Sequence, residues 1–171
     1  MKKFVSMILA VVMIVSCTVV TAFASDGGDC VGVQVQYVDY EQFSELGNEM
    51  ATKTRASVVD LSSGDDFFSA GVLDAKETYI TSTYNITKTT MKFSLTSYDA
   101  ASPHIEVTLY KSSNGSSVAV KTVSLVKSSL IGGKAAIIEF TNLDTTVDYY
   151  AGIKNIDTGE SGNIKGYVGQ K

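Results

Sequence analysis

Apolar and polar residues alternate along most of this chain. Val31, Val33, Val35 and Tyr37 fall on one face of an extended segment, with Gln34 and Gln36 on the other. Met91, Phe93 and Leu95 alternate with Lys92, Ser94 and Thr96, and Ile105, Val107 and Leu109 alternate with Glu106 and Thr108. Ala136, Ile138 and Phe140 repeat the pattern, as do Tyr149 with Ile153 and Ile164 with Val168. A period of two sends every second side chain to the same face, so each run predicts a strand with one buried and one wet face. The runs stop at Ser102-Pro103, Asn114-Gly115, Gly132-Gly133 and Asp157-Thr158-Gly159, all turn-forming residues. Asn114-Gly115 tolerates the positive φ that a tight hairpin needs. About nine short strands of this kind predict an all-β domain, an antiparallel β-sandwich of Greek-key or jelly-roll type. One stretch breaks the rhythm. Asp39 followed by Gln42, with Phe43, Leu46 and Met50 at near-helical spacing, predicts a short helix from Tyr40 to Leu46.

The N-terminus follows a different logic. Lys2 and Lys3 precede an apolar run from Phe4 to Val20, and Ala22-Phe23-Ala24 closes it with small residues around one large one. That order predicts a secretory signal peptide over residues 1–24, cleaved after Ala24. The run is short for a bilayer span, and the polar Ser25-Asp26-Gly27-Gly28-Asp29 follows it. Ile14-Val15-Ser16-Cys17 also resembles a lipobox, in which an acylated Cys17 would tether the chain to a membrane. Thr18 to Ala24 stays apolar, whereas such a tether turns polar at once, so soluble export is the expectation. The mature chain, residues 25–171, is then one secreted, extracellular domain of 147 residues, long enough to bury a single core.

Composition narrows the partners. The mature chain has twelve basic residues against eighteen acidic ones, a net charge of −6. From Ser25 to Tyr79 eleven acids face three basic residues, so nothing here would hold a phosphate backbone, and nucleic acid is not an expected partner. Cys30 is the one cysteine after the signal, which rules out a disulfide within the mature chain and leaves one between chains open.

One local pattern carries a resemblance. In Phe140-Thr141-Asn142-Leu143-Asp144-Thr145-Thr146-Val147-Asp148-Tyr149 a strand ends, Leu143 follows, and a tyrosine comes six residues later. This resembles the tyrosine corner of immunoglobulin and fibronectin type III domains, and the resemblance implies a buried Tyr149 ring whose hydroxyl bonds the backbone upstream. Thr145 and Thr146 stand where those families usually carry Pro and Gly, and the tryptophan common in their cores is absent. Across Phe67 to Gln170 the rhythm also resembles secreted bacterial pre-peptidase C-terminal domains. Tyr149-Tyr150 would correspond to their Tyr-Tyr strand, and Gly162 to Gly169 to their Gly-led final strand.

The available chemistry is sparse. His104 is the single histidine, no Gly-x-Ser-x-Gly elbow accompanies it, and one His with one distant Cys does not suggest zinc. Paired carboxylates could hydrolyse glycosides without histidine, yet the chain has no tryptophan to serve as a sugar platform. Asp60-Leu61-Ser62-Ser63-Gly64-Asp65-Asp66 gathers three carboxylates around a glycine, the hard oxygen set that Ca²⁺ prefers, although not at EF-hand spacing. Asp60, Asp65 and Asp66 are therefore the candidate metal residues. The same residues also make a plain solvated turn between strands, and no cofactor is expected. Of nine tyrosines, Tyr149 and Tyr150 cannot both point inward, so some face outward, where they could stack on sugar rings or meet a protein. The expected function is a secreted, non-catalytic binding or adhesion module for a protein or an extracellular carbohydrate. The alternatives are a small secreted hydrolase using carboxylates and a structural or assembly subunit pairing through its edge strands.

Overall fold

The computed structural model describes residues 30–39, 58–97, 104–113, 115–126, 130 and 134–171. The signal segment, Cys17 and the helix expected from Tyr40 to Leu46 lie outside the described residues. The described chain is almost entirely strand: β1 (Gly32–Asp39), β2 (Val58–Asp60), β3 (Asp66–Leu73), β4 (Thr78–Ile80), β5 (Thr83–Asn85), β6 (Met91–Ser97), β7 (Ile105–Ser113), β8 (Ser116–Ser124), β9 (Lys134–Thr141), β10 (Asp148–Asn155) and β11 (Gly162–Gln170). A single 3₁₀ turn, Leu61–Ser63, separates β2 from β3.

Among the described residues eleven strands therefore stand where about nine were expected. The excess comes from three-residue pieces too short to show a period: β2, and β4 and β5, which lie in succession along the same side of β10. Between those two, Thr81 replaces a ladder residue. Its N–H donates to the Ala151 carbonyl at 3.0 Å, and its hydroxyl accepts from the Ala151 N–H at 2.9 Å.

The strands form two sheets, ordered β1-β9-β6-β11-β3 and β2-β5-β10-β7-β8. With β4 and β5 counted as one interrupted strand, β3 to β11 alternate between sheets except at the β7–β8 hairpin. That order is the eight-stranded jelly roll, two Greek keys folded face to face. β1 extends the first sheet beyond β9, and β2 extends the second by pairing parallel to β5. The hairpin turns at Gly115, whose φ of 77° is the positive value its neighbours' sequence demanded.

The alternating apolar residues fill the space between the sheets. Phe93, Phe140, Leu95, Ile138, Leu109, Ile105 and Tyr84 are all shut off from solvent. Phe93 and Phe140 meet edge to face, their centroids 5.8 Å apart, the geometry the ring quadrupole favours. Each such ring contributes about 1.5–3 kcal/mol by leaving water.

The link from β9 to β10 is a tyrosine corner. The Tyr149 ring is buried, and its hydroxyl accepts a hydrogen bond from the Asp144 N–H at 2.9 Å. Asn142 starts the arch at φ 60°, and buried Leu143 plugs it. The Asp144 carboxylate accepts from both the N–H and the hydroxyl of Thr146, at 2.9 and 2.7 Å. This Asx turn shapes the arch around Thr145 and Thr146. The corner is thus a local solution to crossing between sheets, and it sits here within jelly-roll rather than immunoglobulin strand order.

Candidate functional site

Strand parity decides what the second sheet shows to solvent. Tyr149 points into the core, so Tyr150 points out, and the register sets it directly against Tyr110 of β7. Their rings stack at 5.0 Å with an interplanar angle of 10°. Each ring gives one face to its partner, and both residues are half-buried.

The row continues on both sides. Ala119 of β8 pairs with Tyr110. Tyr84 against Tyr149 brings Thr83 alongside Tyr150, with Val58, 45% exposed, beyond it. The next row holds Ile80, 52% exposed, opposite Gly152, then Thr108 and Thr122, whose hydroxyls lie 3.0 Å apart. A side chain at Gly152 would meet the Tyr110 ring at 3.2 Å and Ile80 at 3.5 Å, so the tyrosine covers the glycine's gap in the sheet. Beyond the tyrosines, Asn85 donates to Asp148 at 3.1 Å. The result is an aromatic and aliphatic strip crossing a face of hydroxyls, amide and carboxylate.

The groove beside the tyrosine corner offers less. Lys111, Asn142 and Asp144 rim it, Val31, Val118 and Val120 form its apolar wall, and it encloses about 200 Å³. Small-molecule sites run from about 300 to 1,000 Å³, so this is a crevice rather than a ligand pocket. The two Thr146 donors, more than the nearby Lys111, hold the Asp144 carboxyl below the ordinary carboxylate range. Its contribution to the fold is present above the unfolded-state pKa and is lost as pH falls through the lower folded one.

The three candidate metal residues turn to different neighbours. The Asp60 carboxylate caps the 3₁₀ turn, accepting from the Ser62 N–H at 2.8 Å. The Asp65 carboxylate lies against Gly169, in the place a side chain there would need. Asp66 opens β3 near buried Tyr84, whose pKa is pushed upward by burial first and by the Asp66 charge second. The Tyr84 hydroxyl is enclosed with no well-formed hydrogen bond among the described residues, although Thr81 and Asp66 lie beside it. Among the described residues no three His, Cys, Asp or Glu side chains are grouped to hold a metal ion. Asp60→Ala is expected to cost about 1 kcal/mol through the lost cap, and equally with calcium or chelator present, in paired thermal melts.

At the remaining candidates, His104 and Cys30, the bonds observed are made by the backbone. The His104 N–H donates to the Asp157 carboxylate at 2.7 Å, and its carbonyl accepts from the Ile156 N–H at 2.8 Å. Those bonds fasten the start of β7 to the turn after β10. Cys30 is exposed just before β1, and its carbonyl accepts from the Asn142 amide at 3.3 Å. The signal that could have located the Tyr110–Tyr150 pair was weak. Each tyrosine falls on the wet parity of its strand, but their meeting depends on a β7–β10 register that no local pattern encodes.

No family model matches this chain, and no curated protein or solved structure shows significant similarity to it.

Proposed function

We propose that residues 1–24 direct export and are removed, and that the mature chain is a secreted, non-catalytic sandwich that binds an extracellular protein or glycan. The surface assigned to binding is the outer face of the second sheet. The observation that carries this reading is the Tyr110–Tyr150 stack. Two tyrosines held against each other keep few rotamers, so a partner that packs on them finds its contact area already ordered. Thr108, Thr122, Asn85 and Asp148 supply hydrogen-bonding groups around that apolar strip, the mixture that both sugar rings and protein surfaces require.

The test uses secreted protein whose intact mass begins at Ser25, applied to a glycan array and to pull-down from extracellular material. Tyr150→Ala and Tyr110→Ala are each expected to weaken the binding found by about tenfold or more, as truncation of a central aromatic contact does. Undiminished binding by both variants would remove this face from consideration. A product beginning at Cys17 with added acyl mass would replace soluble secretion by a membrane tether.

A further inference from the structure

Among the described residues, every sheet edge but one is blunted. β8 carries a bulge at the Leu109–Tyr110 step and sets Lys121 against core-facing Leu109. β3 is bulged where Ile164 and Lys165 meet Gly71 and Ser69, with Gly71 at φ 64°. The edge formed by β2 and β4 consists of three-residue strands. Bulges, inward-turned charges and short strands all keep an exposed row of N–H and C=O groups from recruiting another chain.

β1 has none of these devices. Its eight residues run in unbroken register along β9, and Gly32 to Val38 contains neither charge nor proline. Val33 and Val35 pack toward the core, while Gln34 and Gln36 are exposed. Its other side pairs with no strand among the described residues. A long, uncharged, strongly β-forming edge is a hazard if left open and an interface if used.

We infer that β1 is a self-association edge, pairing antiparallel with β1 of a second copy about a two-fold axis at Val35. The strand is complementary to itself in that register. Val35 meets Val35, Val33 meets Tyr37, and Gln34 meets Gln36. Apolar residues of both copies then line the inner face, and glutamines line the outer one. A one-residue slip would set valine against glutamine, and among the parity-matched registers the axis at Val35, the centre of Gly32 to Val38, pairs the whole of that uncharged run. The contact is the same patch on both copies, as a two-fold dimer requires. It joins two five-stranded sheets into one and is independent of what the second sheet binds. The two Cys30 residues would stand roughly 30 Å apart at opposite ends of the paired strands, so this dimer excludes a Cys30–Cys30 disulfide.

The experiment is made on the mature chain carrying Cys30→Ser. Added Gln34→Cys and Gln36→Cys substitutions place thiols of the two copies opposite each other, within disulfide reach at a Cα spacing of about 4.5–5.5 Å. Mild oxidation is expected to give a covalent dimer on non-reducing gels. Gln34→Lys with Gln36→Lys instead sets lysine against lysine across the axis, while position 34 still faces Glu139 of β9 in the monomer. That variant is expected to raise the dimer dissociation constant about tenfold or more in sedimentation equilibrium, with an unchanged monomer melting temperature. A parent chain that stays monomeric up to about 1 mM, a failure to cross-link, or a dimer that the lysines leave intact would each overturn the inference.

Discussion

Tyr149→Ala is expected to be among the most damaging single changes in this domain, costing about 3–5 kcal/mol in denaturant melts. Two losses combine there. The ring leaves a cavity under the β9–β10 arch, and the Asp144 N–H, bonded at 2.9 Å, loses its acceptor. Tyr149→Phe separates them, since it keeps the ring and removes only the acceptor, and should cost about 1–3 kcal/mol. Tyr150→Phe is the control. Its ring lies half-exposed against Tyr110, so loss of its hydroxyl should change stability by no more than about 0.5 kcal/mol. Were Tyr149→Phe silent and Tyr150→Phe costly, the parity of β10 would be reversed, and the face assigned to binding would change with it.

The second large effect is expected at Gly166. This residue lies at the middle of β11, between β6 and β3, where a methyl group would run into the Ser94 carbonyl oxygen and stand 2.9 Å from the Phe68 ring. Backbone in a central strand cannot yield as a flexible side chain can. Gly166→Ala should therefore cost about 3 kcal/mol or more, at or above the usual ceiling for overpacking, and Gly166→Val more still. Gly159→Ala is the natural comparison, because nothing lies within 4 Å of the added methyl and φ is not positive there. Urea midpoints of the two variants, measured side by side, separate crowding from the general effect of replacing glycine. Equal midpoints would mean that β11 packs less closely on β6 than the strand register indicates.

The fold was legible where alternation is strict. Met91, Phe93 and Leu95, or Ile105, Val107 and Leu109, declare both a strand and its inner face, because parity alone assigns each side chain. The tyrosine corner could also be read, since Leu143, Asp144 and Tyr149 act within one short arch. β3 was harder. Adjacent Phe67 and Phe68 point to opposite sides, and the bulge before Gly71 shifts the parity midway. Pairing partners were out of reach for a similar reason, since nothing near Phe67 announces that it will lie beside Tyr167.

The candidate site divided along the same line. That Tyr149 and Tyr150 would face opposite ways followed from parity, whereas the stack with Tyr110 required the β7–β10 register. The Asp60–Asp66 turn could be read only as carboxylates close in sequence, and the separate neighbours of each, Ser62, Gly169 and Tyr84, depend on pairings that no local pattern encodes.

The place of β11 has a consequence for how the chain acquires its structure. It is the last strand in sequence, yet it lies inside the first sheet, bridging β6 to β3 through pairs such as Phe67 with Tyr167, about a hundred residues apart. Contacts of such separation close slowly, because the entropy of the intervening loop is spent before any pairing rewards it. A growing chain that has reached β10 still has β3 unattached and the sheet split in two. The first sheet therefore stays divided until Gly162 to Gln170 is in place between β6 and β3.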